Sequence, residues 1–195
     1  MRKFLVALCL LLMAVPAFSA KDVDLDSVQE GVKKGDPDAI NTLGVVYYDG
    51  LNGVKKDYAK ALKLFTQAAD AGDATALTNI GRMYYFGRGV RKDIKKAAKY
   101  FAKAAEKGDT EGKYIIALMY DNGEGVNEDK EQAFLWFRRA AQQGEAKSQY
   151  NIAVMYSKGE GVEQNIDLAR EWMRKAADQG YEDAINEMKN LDESK

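Results

Sequence analysis

Histidine is absent from this chain, and cysteine occurs once, as Cys9. Without histidine there is no Ser–His or Cys–His nucleophile, no histidine general base and none of the usual zinc ligand sets. The sequence also lacks Gly-x-Ser-x-Gly, Cys-x-x-Cys and any ligand cluster with metal-binding spacing. Acid pairs such as Glu128 and Asp129 precede predicted helices, where helix capping accounts for them. We therefore expect a protein that is not an enzyme and needs no cofactor, metal or small-molecule substrate.

The longest apolar run lies at the N terminus. Two basic residues come first, an apolar run of twelve residues from Phe4 to Val15 follows, and small residues come after it. A run of this length is too short to span a bilayer as a helix, and no other stretch approaches the length needed. The order of basic, apolar and small residues is typical of a secretory signal peptide. We assign residues 1–20 to it, with cleavage after Ser19 or Ala20, and expect a periplasmic or secreted protein.

Cleavage would change both the cysteine content and the charge. Cys9 would be lost, so an exported chain without disulfides must draw its stability from packing. The remaining chain would hold 27 basic and 30 acidic side chains, a net charge of −3. That balance does not indicate binding to nucleic acid or to anionic membranes.

A pair of glycines recurs about every 36 residues, in YYDGLNGVKKD, YYFGRGVRKD, MYDNGEGVNED and MYSKGEGVEQN. The copy GRGVRKD at 87–93 resembles a phosphate-binding loop, because two glycines flank a basic residue and further cations follow. However, two of the four copies place Glu124 or Glu160 between the glycines, where a carboxylate would repel phosphate, and none continues with Gly-Lys-Ser/Thr. We interpret the glycines as residues that supply positive φ in a tight connection. The first loop has one extra residue, between Gly50 and Gly53.

Each repeat predicts a first helix, helix A, and a second helix, helix B. In helix A of the second repeat, Ala76, Ile80 and Met83 follow helical spacing after the N-cap Asp73. Helix B buries an Ala/aromatic stripe, and its N-caps are predicted at Asp57, Asp93, Asp129 and Asn165. The pattern predicts an all-α fold, a right-handed α-solenoid of helix–loop–helix repeats.

Four full repeats and two terminal caps account for the rest of the chain. We divide it into the signal peptide at 1–20, an N-terminal capping helix at 21–34, repeats one to four at 35–71, 72–107, 108–143 and 144–179, and a C-terminal capping helix with a tail at 180–195. Atypical terminal units are expected for a repeat array, because its ends have no neighbour to cover them.

The repeat pattern is similar to a known family. The matching elements are Gly-Asp at each start, Ala-x-x-x-Leu/Ile-Gly/Ala-x-x-Tyr in helix A, Gly-x-Gly-Val in the loop and Ala-x-x-Trp/Tyr/Leu-Phe-x-x-Ala-Ala in helix B. From Gly35 to about Leu191 the chain resembles the Sel-one-like repeat family, a relative of the tetratricopeptide repeats. Departures are the longer first loop, Gly112 and Ser148 in place of alanine, and Met173 in place of phenylalanine. The resemblance implies an adaptor or regulator that binds a protein or peptide partner in the cell envelope.

The same resemblance leaves two alternative functions open. Some similar proteins are immunity proteins that neutralise toxins in the bacterial envelope. Cysteine-rich relatives are associated with β-lactam binding and hydrolysis. Their paired cysteines are absent here, which weighs against the enzymatic alternative.

The face of helix A opposite its apolar stripe is the candidate binding site. At 100° per residue it carries tyrosines and aliphatic residues where a solvated face would be mostly charged. Tyrosine suits partner binding, because it offers a large contact area at a small cost in rotamer entropy. The candidate partner-binding residues are Val45, Tyr48, Arg82, Tyr85, Tyr114, Leu118, Tyr150 and Val154. Alternatively, these residues pack between successive A helices and extend the core.

Charge is uneven between the middle repeats. Repeat two holds nine basic and three acidic residues, a net charge of +6, whereas repeat three holds four basic and seven acidic, a net charge of −3. The basic residues cluster on helix B as RKDIKKAAKYFAK. A solvated outer face explains such lysines, and docking of an acidic partner around Lys95, Lys96 and Lys99 is the alternative.

Overall fold

Residues 23–193 are described by the structure, a computed structural model, and the predicted signal peptide at 1–20 lies outside them. Within residues 23–193 there are ten α-helices and no strand, which confirms the all-α prediction. The helices are α1 Leu25–Lys33, α2 Pro37–Asp49, α3 Tyr58–Asp70, α4 Ala74–Phe86, α5 Ile94–Glu106, α6 Thr110–Asn122, α7 Lys130–Gln142, α8 Ala146–Lys158, α9 Ile166–Asp178 and α10 Glu182–Glu193.

Four helix pairs, each made of a helix A and a helix B, form the repeats. Helices α2, α4, α6 and α8 are the A helices and α3, α5, α7 and α9 the B helices, and all eight have 13 residues. The described part of the chain divides within α6 into two compact units, the first ending at Gly112 and the second beginning at Lys113.

Local hydrogen bonds define where the helices begin. The side chains predicted to cap the B helices do so: Asp57, Asp93, Asp129 and Asn165 each accept the backbone N–H three residues later, at 2.9–3.0 Å. Pro37 is the first residue of α2, where its missing N–H leaves no backbone bond unmade. These caps satisfy donors that the first helical turn leaves free, so short polar side chains define each boundary.

The loop glycines adopt positive φ, as predicted. Gly161 has φ +70°, and a Cβ atom there would overlap the carbonyl oxygen of Lys130 at the start of α7. Gly89 has φ +72°, and a Cβ there would come within 2.7 Å of the Tyr58 Cβ at the start of α3. The second glycine of these loops therefore lets the loop lie directly against the helix B of the preceding repeat.

The extra residue in the first loop has a specific use. Asn52 has φ 53°, a left-handed conformation that asparagine tolerates better than most residues. Its Nδ2 donates to the carbonyl oxygen of Val23 at 2.8 Å. The longer loop therefore holds the chain that enters α1.

Each unit has its own buried cluster. In the first unit one cluster is made of the buried residues Ile40, Tyr48, Ala61, Leu64, Phe65, Ala68, Ala76, Ile80 and Met83, drawn from both of its repeats. In the second unit one cluster is made of Ala153, Met173, Ala176 and Ala184. Helix A of one repeat, its own helix B and the next helix A contribute to each cluster, so a single repeat cannot form it alone.

Candidate partner-binding surfaces

Five of the eight predicted binding residues are buried. Tyr48, Arg82, Tyr85, Tyr114 and Leu118 are between 2% and 6% exposed. Val45, Tyr150 and Val154 are half-buried. The expectation that this face of helix A lies opposite the core, in solvent, is therefore wrong for those five residues. Their role in binding a partner stays a prediction.

Arg82 shows what covers this face in the first unit. Its guanidinium forms an ion pair with Glu111 in the first turn of α6, and its Nη1 lies 3.5 Å from Oδ1 of Asn79. Asn79 in turn donates from Nδ2 to Oδ1 of Asn41 on α2, at 2.9 Å. A row of polar side chains thus joins successive A helices, as the packing alternative expects.

Asp109 extends this row at the N terminus of α6. Its Oδ1 accepts a hydrogen bond from the buried hydroxyl of Thr78 at 2.9 Å. Polar groups removed from water must find partners, because an unpaired one costs about 1–3 kcal/mol. These contacts explain how polar side chains can occupy an A-helix face that water does not reach.

Tyr48 is held by packing and by one hydrogen bond. Its ring meets Tyr58 edge-on with centroids 5.4 Å apart, and its hydroxyl accepts from Nη1 of Arg88 at 2.8 Å. Burial raises the pKa of Tyr48, and Arg88 opposes that rise. Arg88 also lies over the Phe86 ring at 5.1 Å, so one guanidinium bridges two aromatic side chains.

In the second unit, Tyr114 is packed and Tyr150 is only half-buried. The ring centroid of Tyr114 lies 5.8 Å from that of Phe137. Tyr150 meets Tyr181 with centroids 5.2 Å apart, and burial is the largest cause of the raised pKa of Tyr150, with Glu187 and Asp183 adding to it.

Four half-buried side chains form what we call the C-terminal patch. Tyr150, Val154, Tyr181 and Met188 all pack against the buried cluster of the second unit while remaining partly exposed. Two of these four were predicted as binding residues. Tyr181 and Met188 are not among the predicted residues, because Tyr181 directly precedes the capping helix α10, Met188 lies on it, and the prediction covers only the A helices of the four repeats.

The outer face of the first two repeats carries a second candidate surface. We call it the basic strip and define it as Lys55, Lys56, Lys60, Lys63, Arg91, Lys92, Lys96 and Lys99, all of which are exposed. Of this strip, only the part in repeat two is predicted from the sequence above. Aligning the four repeats on their glycine loops would have shown that repeat one is basic at the same four positions.

Among the residues that the structure describes, no group of three or more His, Cys, Asp or Glu side chains is arranged to hold a metal ion. No helix among them combines the length and the apolar character needed to cross a membrane.

Tandem pairs of equal-length helices, joined by glycine loops and packed through shared clusters, define a helical-repeat protein. Within that class the chain belongs to the Sel1 repeat family. The family model for the Sel1 repeat matches four consecutive segments, residues 37–73, 74–109, 110–145 and 146–181. The predicted resemblance and the four repeats are thereby confirmed.

Solved structures show the same fold. The crystal structure of c5321, a protective antigen present in uropathogenic Escherichia coli strains, is 35% identical with a TM-score of 0.78, over 86% of this chain and 36% of that one. Immunity protein Pa5087 from Pseudomonas aeruginosa is 25% identical with a TM-score of 0.58, over 82% of this chain and 59% of that one.

A curated relative matches a shorter segment. Over 69 residues the chain is 38% identical to HRD3A of Arabidopsis thaliana, a component of an ERAD-associated E3 ubiquitin-protein ligase. The match covers 35% of this chain and 10% of that protein. The chain thus spans about a third of c5321 and about a tenth of HRD3A.

Proposed function

We propose that this Sel1 repeat protein is exported and binds a protein or peptide partner in the bacterial envelope, as an adaptor or regulator. The order of basic, apolar and small residues at its N terminus supports export. The relatives support a binding role, since helical repeats present extended surfaces on a rigid frame.

The observation that carries this proposal is the C-terminal patch. It keeps two tyrosines, a valine and a methionine partly exposed on neighbouring helices of the second unit. Tyr150 and Tyr181 contact each other, and partly exposed apolar side chains that lie close together are a feature of protein interaction sites. The tyrosines supply contact area with few rotatable bonds, and methionine adapts its shape to a partner.

The test is the double change Tyr150→Ala with Val154→Ala. Partner capture from an envelope extract, quantified by mass spectrometry, should fall at least about tenfold, a loss of about 1.4 kcal/mol. Because both side chains are already half-exposed, the far-UV circular dichroism should be unchanged and the melting temperature similar.

Leu135→Ala is the matched control. Leu135 is also an apolar residue of the second unit, 41% exposed on the B helix α7, and is not one of the four patch residues. Its substitution should leave capture within about twofold of the wild-type value, well under the factor of ten that 1.4 kcal/mol represents. Equal capture by the double variant and the control would defeat the assignment of the patch as the binding site.

Immunity against a toxin is the second candidate function. The likeness to immunity protein Pa5087 at 25% identity favours it. A toxin gene should then lie next to this one, and co-expression of the chain should protect cells from that toxin. The adaptor proposal expects neither result.

We do not propose an enzymatic role. The β-lactam alternative depended on paired cysteines, and the sequence holds only Cys9. Purified protein should therefore leave nitrocefin unhydrolysed above the buffer rate, and turnover that follows the protein through purification would restore this alternative.

A further inference from the structure

The basic strip occupies four equivalent positions in each of the first two repeats, two in the loop and two on helix B. All eight residues there are lysine or arginine. The same positions in repeats three and four are Asn127, Glu128, Gln132, Leu135, Glu163, Gln164, Leu168 and Glu171, and none of them is basic. The basic character therefore belongs to repeats one and two and is not a general feature of this repeat.

The strip is exposed and its charges are not paired within the chain. All eight side chains are exposed, and none takes part in an ion pair among residues 23–193. Lys130 and Lys175 on the B helices of the second unit behave differently, since Asp121 and Glu171 pair with them. Nearby carboxylates are fewer than the cations, since Asp49 interacts with Lys56 and Asp93 with Lys96, so the eight like charges keep a net positive local field.

Tyrosines position two of the lysines. The Nζ atom of Lys60 donates to the Tyr47 hydroxyl at 2.6 Å and lies 4.0 Å from the centre of the Tyr47 ring. In the next repeat, Nζ of Lys96 lies 4.2 Å from the centre of the Tyr84 ring. A hydrogen bond to Tyr84 raises the pKa of Lys96. Cations held in this way lose less side-chain entropy when they bind an anion.

The two halves of the strip are neighbours in the first unit. Gly89 brings the second loop against Tyr58, at the start of the helix that carries Lys60 and Lys63. Farther along, one depression is lined by Arg91, Lys92 and Lys96 together with Asp93, and a second by Lys96, Lys99 and Lys103 together with Glu106. Lys96 belongs to both depressions, and cations outnumber carboxylates in each.

We propose that the basic strip docks an acidic segment of a partner protein, a chain rich in aspartate and glutamate. This surface is separate from the C-terminal patch, so it adds a second interaction site and specifies the chemistry of its partner. Each pre-positioned lysine meets a carboxylate, and the nearby tyrosine hydroxyls offer hydrogen bonds to a peptide backbone.

Other anionic occupants fit the surface less well. Stable membrane binding is strengthened by large apolar side chains that insert, and the exposed ones among the described residues are Leu135 and Ile166, both in the second unit. Single-stranded nucleic acid gains affinity from bases that stack on free ring faces, whereas Tyr84 and Tyr100 stack on each other at 5.6 Å with planes 5° apart. A second copy of this chain offers three carboxylates at the equivalent positions of its last two repeats, too few for eight cations.

The experiment uses the signal-free chain and a fluorescein-labelled peptide of twelve glutamates, with a Gly-Ser peptide of equal length as the negative probe. Fluorescence anisotropy should show binding of the glutamate peptide alone. The affinity should fall at least about tenfold between 50 and 200 mM NaCl, because the contacts are between exposed charges.

The diagnostic variant replaces Lys60, Lys63, Lys96 and Lys99 by glutamine and should lower the affinity at least about tenfold, or 1.4 kcal/mol. The matched control replaces four exposed, unpaired cations outside the strip, Lys33, Lys158, Arg174 and Lys189, by glutamine and should stay within about twofold of wild type. Both variants carry the same net charge, so only the location of the charge differs. Circular dichroism verifies that both are folded.

Several outcomes would overturn the proposal. Equal losses in the two variants would reduce the binding to nonspecific net-charge attraction. Strip-dependent binding to vesicles containing phosphatidylglycerol or to a thymidine dodecamer, without binding to the peptide, would assign the strip to a lipid or nucleic-acid partner. A salt-sensitive dimer in sedimentation that the strip variant abolishes, again without peptide binding, would assign it to a second copy. None of these outcomes touches the C-terminal patch, whose variants are scored separately.

Discussion

Two phenylalanine rings explain why glycine stands in the middle of the first two A helices. A Cβ atom at Gly44 would lie 2.6 Å from the Phe65 ring, and one at Gly81 would lie 2.7 Å from the Phe101 ring. Both rings are buried, so neither can move aside freely. Glycine in a helix interior costs about 1 kcal/mol relative to alanine. The packing of helix B directly against the glycine offsets that cost.

Substituting Gly81 by alanine should therefore destabilise the protein, although alanine is the better helix former. Overpacking against the Phe101 ring should lower the free energy of unfolding by about 1–3 kcal/mol in urea titrations. Ala153→Gly, at the equivalent place in repeat four, is the control and should cost about 1 kcal/mol from propensity. An increase in stability for Gly81→Ala would show that the Phe101 ring can move to make room for the added methyl group.

Phe101 itself is a second residue-scale test. It is fully buried on α5, so Phe101→Ala should lower the free energy of unfolding by about 3–5 kcal/mol through lost transfer energy and a cavity. Lys99→Ala, an exposed change on the same helix, should stay within about 0.5 kcal/mol of wild type. A loss below about 1 kcal/mol for Phe101→Ala would contradict its place in the core.

At the scale of elements, the loops decide how one repeat meets the next. Each A helix ends and each B helix begins within a few residues, and the second loop glycine contacts the preceding repeat at Gly89 and Gly161. The loop is thus part of the interface between repeats, and its second glycine does more than supply the positive φ that the sequence predicts for it. Its glycines adopt a left-handed backbone conformation, and because they lack a Cβ they leave room for the helix of the preceding repeat.

Two glycines with similar φ separate these two contributions. Gly180 has φ +84° with nothing within 4 Å of an added Cβ, whereas at Gly161 the Cβ would overlap the Lys130 carbonyl. Gly180→Ala should cost about 1–2 kcal/mol from the left-handed conformation alone. Gly161→Ala should cost about 3 kcal/mol or more, since the overlap is with backbone and adds an overpacking cost. Equal losses in urea titrations would contradict the packing role of the loop.

At the scale of the whole molecule, the two candidate surfaces occupy different units. The basic strip belongs to residues 1–112 and the C-terminal patch to residues 113–195. Stability in helical repeats is close to a sum of terms from neighbouring repeats, so each surface can be altered without loss of the other. The strip and patch variants should therefore each retain the binding that depends on the other surface.

Export is the prediction that concerns the complete chain. The protein recovered from the periplasm or the medium should begin at Ala20 or Lys21 when sequenced from its N terminus, because the small residues before these positions fit a signal peptidase site. An intact Met1 terminus in that fraction would contradict cleavage.

Most of the fold could be predicted from short-range features of the sequence. The 36-residue period, the paired helices and the caps at Asp57, Asp93, Asp129 and Asn165 all depend on groups a few residues apart, so local rules suffice. The same holds for the glycines of positive φ. These elements can be recognised once the start of each 36-residue repeat is known.

The candidate site could be predicted only in part, because helical periodicity describes one helix at a time. It separates the stripe of α4 that meets α5 from the opposite face, but it contains no information about what covers that opposite face. In the tertiary structure Glu111 reaches Arg82 from 29 residues away, and Asn41 reaches Asn79 from 38 residues away. Contacts between A helices of successive repeats thus bury side chains that a single helix would leave in water. The basic strip needed no such contacts to be charged, but only the fold brought the loop of repeat two against the start of α3 and left all eight cations exposed.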